Sequence, residues 1–325
     1  MALFVPQTSR CCSRGIVPLA IARRTFNSTP LWHESQDPRI SILGPVIEDE
    51  YATLRTTKYQ TPHNPIVLAH GLLGFDELRL FGKLLPGVHY WRGITEALTA
   101  NGVEVILSHV PPAASIEERA ARLSEDIEKK AGGKSVNVIA HSMGGLDARY
   151  MISRLNPPNV KVRSLTTIAS PHRGSAFADY CFDRIGPERL PTIYGALRTM
   201  KIETGAFSQL TRRYMEEDFN LKTPDREGVA YFSYGATAKP PIWSAFRQSH
   251  RIVESVEGPN DGLVSVVSSK WGTYKGTLVG VTHLDLINWT NRLRWLAWEL
   301  IGNKRTFNAI AFYLDITDML AKEGY

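Results

Sequence analysis

The stretch NVIAHSMGGLDARY, residues 137–150, places a serine between a strand pattern and a helix pattern. The preceding residues 135–140 are apolar and β-branched, and a helical pattern follows the two glycines. In such a corner, side chains two positions before and after the serine would collide, so small residues are needed there. Ala140 and Gly144 meet this need. The pattern predicts Ser142 as a nucleophile in a strained turn; an ordinary helix N-cap is the alternative.

Short apolar strands alternate with helical segments over most of the chain. The segments predicted as strands are 65–70, 103–110, 135–140, 162–170, 228–237, 261–269 and 276–281. The segments predicted as helices are 90–102, the stretch between Ser115 and Gly132, and 284–301. Near-continuous apolar strands separated by helices are typical of a parallel sheet buried on both sides. The expected class is α/β, with a mainly parallel central sheet covered by helices on both faces.

Residues 173–227 interrupt this alternation. The insertion mixes aromatic and aliphatic residues with charged ones. Long excursions from a compact sheet usually serve as lids or binding loops. The segment is predicted to be a helical lid or cap, and a surface subdomain without a role in the chemistry is the alternative.

A serine nucleophile needs a histidine base. Three histidines follow Ser142, namely His172, His250 and His283. His283 is preferred because it follows the predicted strand 276–281, whose end would present it to the serine. His172 leaves no strand-end acid before it, and His250 has no clear strand before it.

The base in turn needs a carboxylate to orient it. Asp261 lies in the turn sequence EGPNDGLVS, between the serine and His283 in the chain order expected for this type of site. Asp285 is the alternative acid.

The oxyanion of an acyl-transfer reaction also needs hydrogen-bond donors, and the backbone N–H groups of Leu72 and Met143 are predicted to supply them. His70, in the same loop as Leu72, is expected to be structural.

Residues 1–33 carry four arginines and no acidic residue. Such segments are typical of mitochondrial transit peptides, which is the predicted role; a secretory signal peptide is the alternative. Without them the net charge falls from +6 to +2, so a nucleic-acid partner is not indicated.

Residues 34–63 are then an N-terminal extension and residues 64–325 the catalytic domain. Cys181 is the one cysteine outside residues 1–33, so no internal disulfide, metal site or other cofactor is expected.

Five ordered motifs, PIVLAHGLLGF, VIAHSMGGLDARY, TIASPHRGS, NDGLVS and HLDLIN, resemble those of bacterial secreted triacylglycerol lipases. With its N-terminus, the chain most resembles their fungal mitochondrial relatives. The resemblance covers roughly residues 64–300. It implies an α/β-hydrolase fold, a mobile lid and hydrolysis of carboxylic esters, with Ser142, Asp261 and His283 as the triad.

The chain departs from the bacterial enzymes at two features. Those enzymes carry a structural calcium; Asp285 matches one ligand position, but Trp289 occupies another and cannot coordinate a cation. Val267 stands where a cysteine of their disulfide is expected. No metal and no disulfide are therefore expected here.

The resemblance implies an acylglycerol or other lipid ester as substrate and peripheral contact with a membrane or lipid surface. The apolar residues that would line an acyl tunnel, form the underside of a lid or belong to the core are Phe177, Tyr180, Phe182, Leu190, Ile193, Tyr194 and Leu197. Segment 307–320 either lies on a membrane surface or, as we expect, packs against the sheet. The alternatives to a lipase are a phospholipase or acyltransferase with the same triad, and a catalytically silent lipid-binding scaffold.

Overall fold

A parallel sheet forms the centre of the protein. The computed structural model describes residues 42–55, 58–72, 90–112, 114–183, 205–240, 244, 246–289 and 307–325. The strands are β1 Val46–Ile47, β2 Ile66–Ala69, β3 Val105–Leu107, β4 Ser135–His141, β5 Lys161–Ile168, β6 Ala230–Thr237 and β7 Thr273–Val279. Within these residues they form one seven-stranded sheet in the order β1-β7-β6-β5-β4-β2-β3, and every neighbouring pair is parallel. The predicted sheet is confirmed.

Helices surround the sheet. They are α1 Ile94–Ala100, α2 Ile116–Ala131, α3 Gly144–Tyr150, α4 Gly205–Gln209, α5 Arg212–Tyr214, α6 Asn220–Lys222, α7 Arg247–Glu257, α8 Val266–Ser269 and α9 Ala309–Lys322. A π-helical turn, Met151–Leu155, continues α3, and another, Met215–Phe219, joins α5 to α6. The described residues all lie within one compact unit, Pro38–Tyr325.

Successive residues of β2 enter two different hydrophobic cores. Ile66 and Leu68 pack with α1 and α9, whereas Val67 and Ala69 pack with α2 and α3. All four are buried, because side chains alternate between the two faces of a strand and each face is covered. This arrangement explains why the strands have continuous apolar sequences.

Helix α2 begins and ends where its local sequence signals predict. Ser115 accepts a hydrogen bond from the backbone N–H of Glu118, whose side chain accepts one from the N–H of Ser115, so the predicted capping box is present. Gly132 ends the helix in a left-handed conformation, φ 58°.

The prediction of a strand over residues 261–269 is wrong. Residues 261–265 form a turn, and α8 follows. The hydroxyl of Ser265 accepts a hydrogen bond from the N–H of Ser268 and caps this short helix, so the backbone bonds locally instead of joining the sheet. Edge strand β1, by contrast, lies within the predicted N-terminal extension and has only two residues.

The two predictions for the C-terminal part of the chain differ in outcome. In the segment predicted as a helix over 284–301, the structure has a single 3-10 turn, Asp285–Ile287, and residues 290–301 lie outside the described part. The expected packing of the C-terminal segment is confirmed, because α9 buries Phe312, Tyr313 and Ile316 completely against the sheet.

The insertion is described over residues 173–183 and 205–227. Its helical portions are residues 176–183 and the segment from α4 to α6. Phe177 and Tyr180 are half-buried and Phe182 is exposed. Leu190, Ile193, Tyr194 and Leu197 lie outside the described residues, as does the predicted transit peptide, residues 1–33. None of the described helices is long and apolar enough to cross a membrane.

Candidate active site

Ser142 lies between the end of β4 and the start of α3. Its φ of 56° is left-handed, which is uncommon for a residue with a side chain. The N–H of Ser142 donates to the carbonyl of Ile168 on the neighbouring strand, with N and O 2.9 Å apart, and its own carbonyl accepts from Gly145. These bonds hold the backbone in a strained turn that presents the hydroxyl at the carboxyl end of the sheet.

The small residues around this turn allow two backbone segments to touch. A Cβ added to Gly144 would lie 2.6 Å from the carbonyl oxygen of Ala69, and one added to Gly71 would lie 2.7 Å from the Cβ of Ser142. Both distances are shorter than real contacts allow. The loop after β2 therefore runs directly beside the serine. Leu72, the next residue of that loop, packs in the same apolar cluster as Met143.

Asp261 and His283 form a buried pair. Oδ2 of Asp261 lies 2.7 Å from Nδ1 of His283. The other carboxylate oxygen accepts hydrogen bonds from the N–H groups of Leu263 and Val264, at 3.0 and 2.9 Å. The backbone N–H of His283 also donates to the carbonyl of Asp261. Both residues are thus oriented toward each other by side-chain and backbone contacts.

The pair lies beside the serine turn. The ring of His283 packs against the ring of His141, with centroids 4.5 Å apart, and His141 directly precedes Ser142. The structure therefore brings the predicted base and acid to the end of the strand that carries the serine.

The alternative residues are engaged elsewhere. Oδ2 of Asp285 accepts from the N–H and the hydroxyl of Thr282, at 3.0 and 2.6 Å. His172 is fully buried and lies 3.0 Å from the hydroxyl of Thr167. His250, on α7, lies 3.6 Å from the exposed carboxylate of Glu254. The geometry favours Asp261 and His283 over these candidates.

A hydrogen-bond chain that sequence reasoning missed supports the site. The hydroxyl of Tyr90 accepts from the N–H of Gly71 at 3.0 Å and lies 2.6 Å from Nδ1 of His141. Burial, and then the nearby His283, hold the pKa of His141 well below its usual value. Neutral His141 accepts a hydrogen bond from the hydroxyl of Tyr90. These two hydrogen bonds therefore connect the loop that contains Gly71 to the residue directly before Ser142.

A buried ion pair, also missed, holds the same loop. Arg119 contacts the carboxylate of Asp147 with its Nε, at 2.9 Å, and donates to the carbonyls of His70 and Pro111. Burial outweighs the arginine and raises the pKa of Asp147 to about 6. The sequence could have indicated this ion pair, because Arg119 lies on the apolar face of α2, beside Ile116, and a charged residue on a buried helix face needs a partner.

His70 has a structural position. It is buried, and its Nδ1 lies 3.0 Å from the carbonyl of Gly71. Burial, reinforced by the positive charge of Arg119, lowers the pKa of His70 to about 4.

Among the described residues, no three histidine, cysteine, aspartate or glutamate side chains are grouped so that they could hold a metal ion.

Comparisons with known proteins agree with this architecture. The palmitoyl protein thioesterase family matches residues 65–221. Triacylglycerol lipase 2 of Saccharomyces cerevisiae is 40% identical over 315 residues, which cover 82% of this chain and 94% of the yeast protein. Triacylglycerol lipase of Pseudomonas fragi is 26% identical over 80% of this chain and 97% of the relative. The crystal structure of Staphylococcus hyicus lipase superposes with a TM-score of 0.63 at 21% identity, covering 82% of this chain and 98% of that one.

The parallel sheet with a serine turn at its carboxyl edge, together with these relatives, defines an α/β hydrolase that acts on carboxylic esters. Within that class, the chain belongs to the triacylglycerol lipase family. The resemblance to bacterial and fungal lipases that the sequence motifs indicate is thereby confirmed.

Proposed function

We propose that this protein hydrolyses acylglycerols through an acyl-enzyme intermediate on Ser142. His283 is the general base and Asp261 orients it. The observation that carries the proposal is the buried Asp261–His283 hydrogen bond, which lies beside the strained turn of Ser142.

In the first half of the reaction, Nε2 of His283 takes the proton of the Ser142 hydroxyl as Oγ attacks the ester carbonyl carbon. The carbonyl oxygen becomes an anion, and the backbone N–H groups of Leu72 and Met143 donate to it. His283 then gives its proton to the leaving alcohol oxygen. In the second half, water repeats the attack on the acyl-serine, and the fatty acid leaves.

Asp261 stabilises the charged state of His283 during each half-reaction. The N–H groups of Leu263 and Val264 donate to its second oxygen and so aim the first oxygen at His283. The imidazole therefore keeps its proton on Nδ1 and its free electron pair on Nε2, where the serine proton is taken.

The substrate class is proposed from the relatives, which are named triacylglycerol lipases. Contact with a lipid surface belongs to the same proposal, because such substrates form a separate phase in water. A mitochondrial location is proposed from residues 1–33, which are arginine-bearing and free of acidic residues.

The test is hydrolysis of p-nitrophenyl esters from acetate to palmitate, followed by product analysis with triacylglycerol and phosphatidylcholine. Ser142→Ala should lower turnover by about 10⁴-fold or more. Ser153→Ala is the matched control, since Ser153 lies on the same helical segment and its hydroxyl bonds only to the carbonyl of Pro224 in the described structure. Faster release from phosphatidylcholine would favour a phospholipase. No ester hydrolysis, and no labelling of Ser142 by a fluorophosphonate, would reject catalysis.

A further inference from the structure

Glu257, the last residue of α7, connects two segments that surround the Asp261 turn. One carboxylate oxygen accepts from the backbone N–H of Ala176, 2.5 Å away, at the start of the insertion's first helical segment. The other accepts the hydroxyl proton of Ser265. Both partners are buried. The side chain therefore spans from the base of the insertion to the end of the turn.

In the described structure this carboxylate makes no direct ion pair; the nearby Arg212, whose charge still favours the ionised form of Glu257, pairs with Asp179. Burial raises the pKa of Glu257 above its usual value. A partly buried carboxylate whose hydrogen-bond donors are all neutral is costly, and such groups are enriched at functional sites.

The bond to Ser265 organises the turn that follows Glu257. Because the serine hydroxyl donates to Glu257, its lone pairs remain free to accept the N–H of Ser268 and so to cap α8. Ser265 also pairs with Asn260 in an isolated antiparallel bridge. Asp261 lies inside the loop that this bridge closes.

A second bond fixes the same loop from the insertion side. The hydroxyl of Ser175, adjacent to Ala176, donates to the carbonyl of Leu263 at 2.7 Å. The N–H of that same Leu263 donates to Oδ1 of Asp261. The orientation of the Asp261 carboxylate thus depends on a loop that is held at both ends.

We propose that Glu257 is a positioning residue for the acid of the active site: by holding Ser265 and Ala176 together, it aligns the Asp261 carboxylate with His283. The inference rests on the proposed function, in which Asp261 stabilises the imidazolium of His283. Its effect on the reaction passes through Asp261 alone.

The experiment measures kcat and KM for soluble p-nitrophenyl butyrate over a range of pH, in the full-length protein. Glu257→Ala should lower kcat about 10-fold with little change in KM. The acid limb of the kcat/KM profile should move to lower pH, because a misaligned Asp261 stabilises protonated His283 less. Glu257→Gln should remain within about threefold of wild type, since its amide accepts from Ala176 and donates to the Ser265 oxygen.

Glu254→Ala is the matched control, because Glu254 lies one turn earlier on α7 and is exposed. It should leave kcat and the acid limb unchanged. A Glu257→Ala protein with wild-type kcat, or with reduced kcat but an unmoved acid limb, would overturn the proposal. If Glu257→Ala does not fold, Glu257→Asp replaces it: one methylene shorter, it should show the same shift, and an unmoved limb would again overturn the proposal.

A double variant separates the two proposals. In an Asp261→Asn background, Glu257→Ala should cause no further loss, because residues that act as one unit have non-additive effects. A further 10-fold loss would reject the route through Asp261. Full activity of Asp261→Asn alone would instead reject the proposed role of Asp261 itself.

Discussion

The conformation of Ser142 has an energetic cost that neighbouring residues must offset. A non-glycine residue in the left-handed region is less stable by about 1–3 kcal/mol. Here the hydrogen bond to Ile168 and the close contact with Gly71 hold it there. Because a Cβ has no room at Gly71, this single residue determines how near the loop with Leu72 can come to the serine.

Gly71→Ala should therefore impair catalysis more than folding. The new Cβ would meet the Cβ of Ser142 at 2.7 Å and force the loop outward, so the N–H of Leu72 would move away from the oxyanion that we propose it binds. Loss of one such donor typically lowers turnover by about 10²–10³-fold. The measurement is kcat on p-nitrophenyl butyrate beside the thermal midpoint. Wild-type turnover would show that Leu72 does not serve as a donor.

At the scale of elements, helix α3 connects the serine turn to the insertion. Arg149 near its end is buried, and donates to the side chain of Asn220 and the carbonyl of Thr223, at 2.9 and 3.0 Å. Its guanidinium lies 3.5 Å from the ring centroid of Trp271. Burial lowers its pKa to about 10, which leaves it charged at neutral pH. This one side chain fastens the end of the insertion to the helix behind Ser142.

Arg149→Ala should destabilise the protein by about 3 kcal/mol, because it breaks a buried network and leaves polar partners unsatisfied. Arg154→Ala is the comparison: Arg154 is exposed on the same helical segment and donates to the carbonyl of Lys222. Arg154→Ala should lower the free energy of unfolding by less than about 1 kcal/mol. Urea unfolding measures both. Equal effects of the two substitutions would show that Arg149 does not fasten the insertion.

Elements with strong local signals were predictable, and those that depend on distant partners were not. Helix α2 carries its own cap, so its bounds follow from a few adjacent residues. Residues 261–269 have the apolar, β-branched composition of a strand, yet the contact between Ser265 and Glu257 and the cap on Ser268 make them a turn and a helix. A two-residue edge strand such as β1 has no periodicity to detect.

At the scale of the whole molecule, three buried histidines make stability depend on pH. The pKa values of His70, His141 and His172 are all lowered, first by burial; Arg119 adds to the effect at His70, His283 at His141, and Arg149 and Arg173 at His172. The folded protein keeps these rings neutral, whereas the unfolded chain protonates them below about pH 6.5. Unfolding therefore takes up protons, and stability falls as the pH falls through that value.

Each of the three should contribute about 2 kcal/mol of lost stability between pH 7 and pH 5. Asp147 acts in the opposite direction: because its pKa is raised in the folded protein, the folded state takes up a proton at a higher pH than the unfolded chain does, and this stabilises the folded state as the pH falls. A net loss on the order of 4 kcal/mol is expected. Urea unfolding at pH 7, 6 and 5 measures it, and His172→Gln should reduce this loss by nearly half. Equal stability at all three pH values would contradict the buried neutral histidines.

The amino-acid sequence by itself determined the alternating elements, the class of the sheet and the turn at Ser142, because each depends on the spacing and size of neighbouring residues. It also limited the acid to Asp261 or Asp285 and the base to three histidines. Only the tertiary structure decided which carboxylate faces His283, and that Tyr90, Arg119, Arg149 and Glu257 form hydrogen bonds to the segments around Ser142 and Asp261. Those contacts join residues far apart in the chain, and nothing in the local sequence indicates which polar side chains the fold will bury together.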